Sequence, residues 1–309
     1  MEQFPDKLYG RCPLGHNIAA RELVAPTFYY KLDEDGASTT VGDSASGGNS
    51  GTASEVTSGL AVLGYGGNSV FSFDGVNQCV NVGSGAATLI ASDTKGSLTF
   101  RVKPGNIVAG NTMVAFGKST SSYVIEVHYD VANGKLEMVC TLNAATIWQY
   151  TSLAVLAKNT WYDIAILHNG VTPLFYINNL PDTGGTWSGS DRTKWMSDLV
   201  GGMDTIRIGC RKYANNANAT FFLGQIANVR YFSDTVLTAK QMTEITQIPV
   251  GAREEQPLFW SDHHQRYVCA ICLRGVQDLI DDVKFHDRDK ELERKRQGMG
   301  FSKTQDYSL

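Results

Sequence analysis

The sequence predicts an all-β protein built as a two-sheet antiparallel sandwich, and three observations point to it. Apolar and polar residues alternate at period two in short runs, and clusters of Gly, Asn, Asp and Ser separate those runs. The composition, with 13 Tyr, 13 Phe and 31 Gly against 8 Pro, suits aromatic and β-branched strands joined by tight turns. A chain of 309 residues accommodates one such sandwich of roughly 200 residues with additions at its ends.

By composition the chain divides into an N-terminal extension, 1–26, a central sandwich, 27–248, and a C-terminal extension, 249–309. In the first, Asn17 to Val24 suits a turn or two of helix, with no fold assigned to the segment as a whole. Gly36 to Ser58 is rich in Gly, Ser and Thr and reads as a surface loop. Leu98, Phe100 and Val102 alternate with Thr99, Arg101 and Lys103, so one face of that strand is expected to be buried. Tyr123, Ile125, Val127 and Tyr129, then Asn133 and Gly134, then Leu136, Met138 and Cys140, form a hairpin. Trp161 to His168, Asn169 with Gly170, and Leu174 to Asn178 form a second. Ile206 and Ile208, then Ile226, Val229 and Tyr231, supply two closing strands. Thr238 and Gln241 frame a capping box that opens a short helix through Ile245. Beyond it, Gly275 to Gln297 reads as an amphipathic helix, with Val276, Leu279, Ile280 and Val283 on one stripe and Glu291 paired to Lys295 in the charged part. That helix suits docking to a partner subunit as well as packing on its own sandwich.

Composition excludes several classes. A formal net charge of −4 with 42% hydrophobic and 19% charged residues argues against a disordered polyelectrolyte and against a basic nucleic-acid binder, and Arg294 to Arg296 is too brief a basic run to change that. No stretch reaches the roughly 18 apolar residues of a membrane span. The N-terminus shows no secretory signal. Six cysteines without such a signal are expected to be reduced thiols.

Four kinds of site chemistry compete with plain structural roles for these residues. Glycan hydrolysis needs paired carboxylates in a cleft; Glu126 and Asp130 share a strand face, but no third acid follows and a solvated face is the expected reading. Sugar binding needs an aromatic face beside amides and carboxylates, for which Trp148, Tyr150, Trp187, Trp195 and Tyr213 are candidates with Asn215, Asn216 and Asn218. Of these, Trp187 and Trp195 stand out because Thr183 to Ser197 is a polar segment between strands; both could instead pack over the sandwich edge. Calcium takes loop oxygens, and Asp74, Asn178, Asp182 and Asp191 are possible donors, although turns favour Asp and Asn anyway. Zinc prefers thiolate and imidazole in a tetrahedron; Cys12 and His16 near one end and Cys269 and Cys272 near the other could together hold one ion and fasten the two extensions.

The order of segments also resembles a known family. Phe71 to Val82, carrying Phe-Asp-Gly before a Val-Asn-Val strand, is similar to the corresponding strand pair of laminin-G-like, concanavalin A-like jelly rolls. Asp43 to Thr52 resembles the loop that precedes it there, with Tyr29 to Leu32 as the first strand. Leu98 to Pro104, Asn159 to Ala165, Leu174 to Asn179, Ile206 to Gly209, Phe222 to Tyr231 and Leu237 to Met242 follow in the family's order. Arg101 replaces an aromatic context, and Asn179 stands where glycine is common. The resemblance implies a jelly roll used mostly for adhesion, carbohydrate or protein recognition and structural display. The expectation is therefore a non-enzymatic structural or adhesion protein of a phage or virus particle, a capsid decoration or tail fibre component at the virion surface. Its terminal extensions would bind other virion subunits in an oligomeric assembly, and the jelly roll could bind cell-surface glycans. The alternative is a free-standing carbohydrate-binding or glycan-degrading protein, cytoplasmic in the absence of a signal.

Overall fold

The computed structural model describes residues 10–11, 17–18, 24–45, 47–64, 68–105, 111–119, 122–199, 203–212, 218–247, 259–261 and 266–268, the terminal four of these stretches as backbone strands only. The chain forms two units, Met1–Glu22 with Arg253–Leu309, and Leu23–Ala252. In the first, β1 (Gly10–Arg11) pairs antiparallel with β2 (Asn17–Ile18), and β22 (Phe259–Ser261) with β23 (Arg266–Val268). Asn17 and Ile18 are thus extended where a helical turn was expected. The amphipathic helix expected over Gly275 to Gln297 lies outside the described residues.

The second unit is a double-sheet antiparallel jelly roll. One sheet runs in spatial order β17 (Thr186–Gly189), β13 (Ala145–Val155), β12 (Lys135–Leu142), β11 (Val124–Asp130), β10 (Thr112–Gly117), β18 (Thr205–Ile208), β8 (Val80–Asn81), β5 (Gly51–Ala53) and β4 (Thr40–Val41). The other runs β16 (Leu180–Pro181), β15 (Pro173–Ile177), β14 (Tyr162–His168), β9 (Gly96–Pro104), β21 (Leu223–Ser233), β7 (Ser69–Asp74) and β6 (Ala61–Leu63). β3 (Phe28–Tyr30) also lies on β21, beyond a bulge at Asn228, whose side chain accepts from the Tyr29 hydroxyl at 2.9 Å. β19 (Arg211–Lys212) and β20 (Asn218–Ala219) form a small separate ladder. Helices α1 (Thr57–Leu60) and α2 (Gly83–Ile90) precede β6 and β9, and α3 (Ala239–Gln247) follows β21.

Turn chemistry sets the registers. Both expected hairpins form, β11 with β12 and β14 with β15, each through a four-residue connection that places Asp130 opposite Lys135 and His168 opposite Pro173. Two tighter hairpins have both central residues in the left-handed region, Asn143 and Ala144 at φ 51° and 65°, and Asn178 and Asn179 at 52° and 63°. This is the mirror-image turn whose twist matches the strands, and it explains why asparagine can stand where the family prefers glycine.

Between the sheets, alternate side chains of both interlock around Leu98, Phe100, Phe116, Ile125, Trp148, Trp195, Ile206 and Tyr231. Each such side chain contributes about 1.5–3 kcal/mol by leaving water. The outer face of β9 departs from expectation, because Thr99 and Arg101 are buried too. α3 covers that side, packing Met242 and Ile245 on Ala165, Leu167 and Phe232. Arg101 reaches beneath it to donate to the Thr246 carbonyl and, through Nε at 2.5 Å, to Asp163. The capping box is present, with Thr238 Oγ1 accepting from Gln241 N at 3.2 Å and Gln241 Oε1 accepting from Thr238 N at 2.8 Å. Gly36 to Ser58 is a loop only in part: it contributes β4 and β5 to the sheet edge and begins α1. Strands of two and three residues are too short to leave a periodic trace.

Candidate functional site

At one open edge of the sandwich, β15 and β16 of one sheet approach β13 and β17 of the other, and the gap is incompletely filled. Trp187 on the edge strand β17 turns inward by alternation, since Thr186 and Ser188 pair outward against Thr151 and Gln149. Its indole lies against Tyr150 and Phe175, with ring centroids 4.8 and 5.9 Å away, while those two rings stack face to face at 3.9 Å. Trp148 closes the inner side at 6.0 Å. The result is a hollow of about 290 Å³, walled by Tyr150, Pro173, Leu174, Phe175, Tyr176, Pro181 and Trp187, with Thr172, Asp182, Thr183 and Arg192 as its polar groups. That volume is at the lower end of the roughly 300–1,000 Å³ of small-molecule sites.

The polar groups are fixed unequally. The Asn178–Asn179 turn delivers Asp182, whose Oδ2 accepts from the Tyr150 hydroxyl at 2.9 Å and from Leu153 N at 3.0 Å. Burial and the neighbouring carboxylate push the Tyr150 phenol well above its ordinary value, so it stays a donor. Arg192 lies over the Trp187 ring at 4.4 Å, and its buried Nε has no hydrogen-bond partner among the described residues. The Arg192 carbonyl accepts from Nε2 of buried His168 at 3.0 Å, and the His168 ring stacks on Trp195 at 4.5 Å. An aromatic wall with a guanidinium and hydroxyls at its edge suits a ligand that is apolar on one face and hydroxyl-rich at its rim.

The structure separates the aromatic candidates. Trp187 is at the hollow and half-buried. Trp195 is 0% exposed and donates from Nε1 to the Tyr231 hydroxyl at 3.0 Å; this corrects its reading as a ligand platform, because its neighbours cover the whole ring. Trp148 is equally enclosed, and Tyr150 forms the back wall. Tyr213, Asn215 and Asn216 lie outside the described residues, as do the four expected zinc ligands Cys12, His16, Cys269 and Cys272. Among the expected calcium donors, Asp74 accepts from three backbone amides of its own turn, Asp191 from Thr193, and Asn178 from Asp163 N. Among the described residues no three His, Cys, Asp or Glu side chains converge to hold a metal ion, and no helix is long and apolar enough to cross a membrane.

Pairing across strands also creates a carboxylate cluster invisible along the sequence. On the outer face of the nine-stranded sheet, Glu126 lies opposite Val139 and His128 opposite Glu137, so the two glutamates are diagonal neighbours. Asp130, four residues from Glu126, instead closes its own turn through Ala132 N at 3.0 Å. Glu126 is held by Arg211 at 2.8 Å, and Glu137 by His128 at 2.6 Å and Thr151 at 2.9 Å. The His128 hydrogen bond, working against burial, keeps the Glu137 carboxyl below its usual range. A general acid needs the opposite shift.

Residues 73–243 match the family described as the concanavalin A-like lectin/glucanases superfamily. Among solved structures, domain 4 of AbnA, a GH43 extracellular arabinanase from Geobacillus stearothermophilus in complex with arabinotriose, is similar over 73% of this chain and 100% of its own, at 17% identity and a TM-score of 0.51. The CBM40 of Ruminococcus gnavus IT-sialidase, bound to α2,3 sialyllactose, is similar over 57% of this chain and 92% of its own, at 16% identity and a TM-score of 0.43. Trypanosoma rangeli sialidase in complex with sialic acid is similar over 77% of this chain and 35% of its own, at 12% identity and a TM-score of 0.48. At such identities the likeness is one of fold. No curated protein matches the chain.

Proposed function

Because the chain belongs to the concanavalin A-like lectin/glucanases superfamily, we propose that it is a non-enzymatic carbohydrate-binding protein that takes a sugar ring in the Trp187 hollow. The observation that carries the reading is the hollow itself, with Trp187, Tyr150 and Phe175 as its wall and the Arg192 guanidinium stacked on Trp187 beside them. A pyranose or furanose has C–H faces that pack on aromatic rings and hydroxyls that accept from a guanidinium. The non-enzymatic part is supported by the acids. Among the described residues Asp182 is the one carboxylate lining the hollow, and it is already an acceptor for Tyr150 and a backbone amide; Glu126 is paired with Arg211, and the His128 hydrogen bond holds the Glu137 carboxyl below its usual range.

In the same proposal the unit formed by Met1–Glu22 and Arg253–Leu309 fastens the jelly roll to a larger assembly, a phage or virus particle. Support comes from its separateness: both its segments fall outside residues 73–243. A zinc ion on Cys12, His16, Cys269 and Cys272 would close that unit, and β1 and β2 directly flank Cys12 and His16.

Screening the full chain against immobilised neutral and acidic oligosaccharides, with arabinotriose and sialyllactose among them, tests the binding. Specific retention that is lost in Trp187→Ala and Arg192→Ala supports the reading. Absence of retention for every glycan, or retention unchanged in both variants, overturns it. Removing Pro249 to Leu309 should abolish assembly and leave glycan binding intact, and zinc analysis of the full chain reads the metal directly.

A further inference from the structure

Cys79 directly precedes β8, and Cys210 follows β18 by one residue, Gly209. These strands are antiparallel neighbours, with Val80 opposite Ile208, so both thiols arrive at the same end of one ladder. Both are buried, and the two thiols influence each other electrostatically. The Cys79 backbone is pinned by a reciprocal pair with Ser54: its N donates to Ser54 Oγ at 3.1 Å, and its carbonyl accepts from Ser54 N at 2.8 Å.

The surroundings of the two sulfurs differ. Cys79 Sγ accepts from Asn218 Nδ2 at 3.2 Å, and the Arg207 guanidinium, bonded to Asn81 on the next strand position, adds positive charge. Donors and positive charge around a sulfur favour its thiolate. Asn218 is itself exposed, so the donor bonded to the Cys79 sulfur is in contact with solvent. Cys140 is the contrast. It lies in the apolar core, and burial pushes its thiol up to about 12.

We propose that Cys79 and Cys210 are an oxidation site, converted by a peroxide into a disulfide that ties β8 to the end of β18. The Cys79 thiolate attacks one peroxide oxygen; an S–O bond forms, the O–O bond breaks, and the departing oxygen leaves as water after taking a proton. The sulfur of Cys210, losing its proton, then attacks Cys79 sulfur; the S–S bond forms, the S–O bond breaks, and a second water leaves. Two thiols and one hydrogen peroxide thus give one disulfide and two waters. The pair closes a long loop, so oxidation restricts the unfolded chain and stabilises the fold.

The test treats the full, unmutated chain with hydrogen peroxide, blocks free thiols in denaturant and maps the peptides by mass spectrometry. A crosslink between Cys79 and Cys210, with Cys140 recovered as a free thiol and a melting temperature raised by roughly 5–15 °C until a thiol reductant is added, is the expected result. In Cys210→Ser, dimedone should label Cys79. Recovery of both cysteines as free thiols, crosslinking of either to another cysteine, or dimedone labelling of Cys140 ahead of Cys79 overturns the proposal.

Discussion

Arg192 lays its guanidinium over the indole of Trp187, 4.4 Å from the ring centroid, while its own carbonyl is gripped by buried His168 at 3.0 Å. The stack is therefore set from behind by the core and not by the loop alone. Trp187→Ala should weaken sugar binding about tenfold or more by removing the platform. It should also lower stability by about 2 kcal/mol, since the ring is half-buried against Tyr150 and Phe175. Trp187→Phe should recover more of the stability than of the affinity. Titration calorimetry and urea unfolding read the two effects separately.

Arg192→Ala should split them the other way. A partly exposed cation over an aromatic ring contributes roughly 0.5–1 kcal/mol, so the melting temperature should move little while affinity falls. Equal losses in both would mean that Arg192 only props the loop.

His168 makes the fold sensitive to mild acid. Its Nδ1 accepts from Gly170 N at 3.0 Å and its Nε2 faces the Arg192 carbonyl at 3.0 Å, which requires the neutral ring with hydrogen on Nε2. Burial, opposed by the Arg192 and Thr94 carbonyls, holds its pKa below the usual 6.5. Above that pH the ring is neutral folded or unfolded, and the stability is fully present. As pH falls below it, the unfolded ring takes up a proton that the folded one refuses, so stability declines by up to about 1.4 kcal/mol per pH unit until the depressed folded value is passed. His168→Gln should be less stable at neutral pH but flatter between about pH 6.5 and 5. Denaturant midpoints across that range measure the slope.

The legible part of this protein was the part written in alternation. Leu98, Phe100 and Val102, the two main hairpins, the closing strands and the helix after Thr238 all follow from local periodicity and turn residues. β4 and β5 were not legible, because two or three residues leave no pattern, and α2 buries Ala86, Ala87 and Ile90, two of them too small to mark an apolar stripe. Trp187 was recognisable from its polar segment, yet Trp195, eight residues on in the same segment, is core. Sequence cannot tell them apart, since the Met196–Asp198 turn that tucks Trp195 inward is a tertiary effect. Arg192 and Phe175 became site residues only through sheet edges that meet in space. Glu126 and Glu137 became neighbours only through cross-strand register.

Arg101 offers the sharpest test of how the outer layer is held. It replaces the aromatic context of the family strand and works as a peg: Nε binds Asp163 at 2.5 Å, and a second nitrogen binds the Thr246 carbonyl in the last turn of α3. Burial raises the Asp163 carboxyl above its ordinary value even with Arg101 beside it, so its ionised form depends on that partner. Arg101→Met keeps much of the volume and removes the charge, leaving Asp163 and a helix-end carbonyl without their donor. Unfolding free energy should fall by roughly 3 kcal/mol, with faster amide exchange in α3 than in β10 or β11. Adding Asp163→Asn should return part of the loss, because a neutral amide tolerates that site without a cation. If the double variant is no better than the single one, the peg acts through the Thr246 carbonyl alone and the ion pair is incidental to the layer.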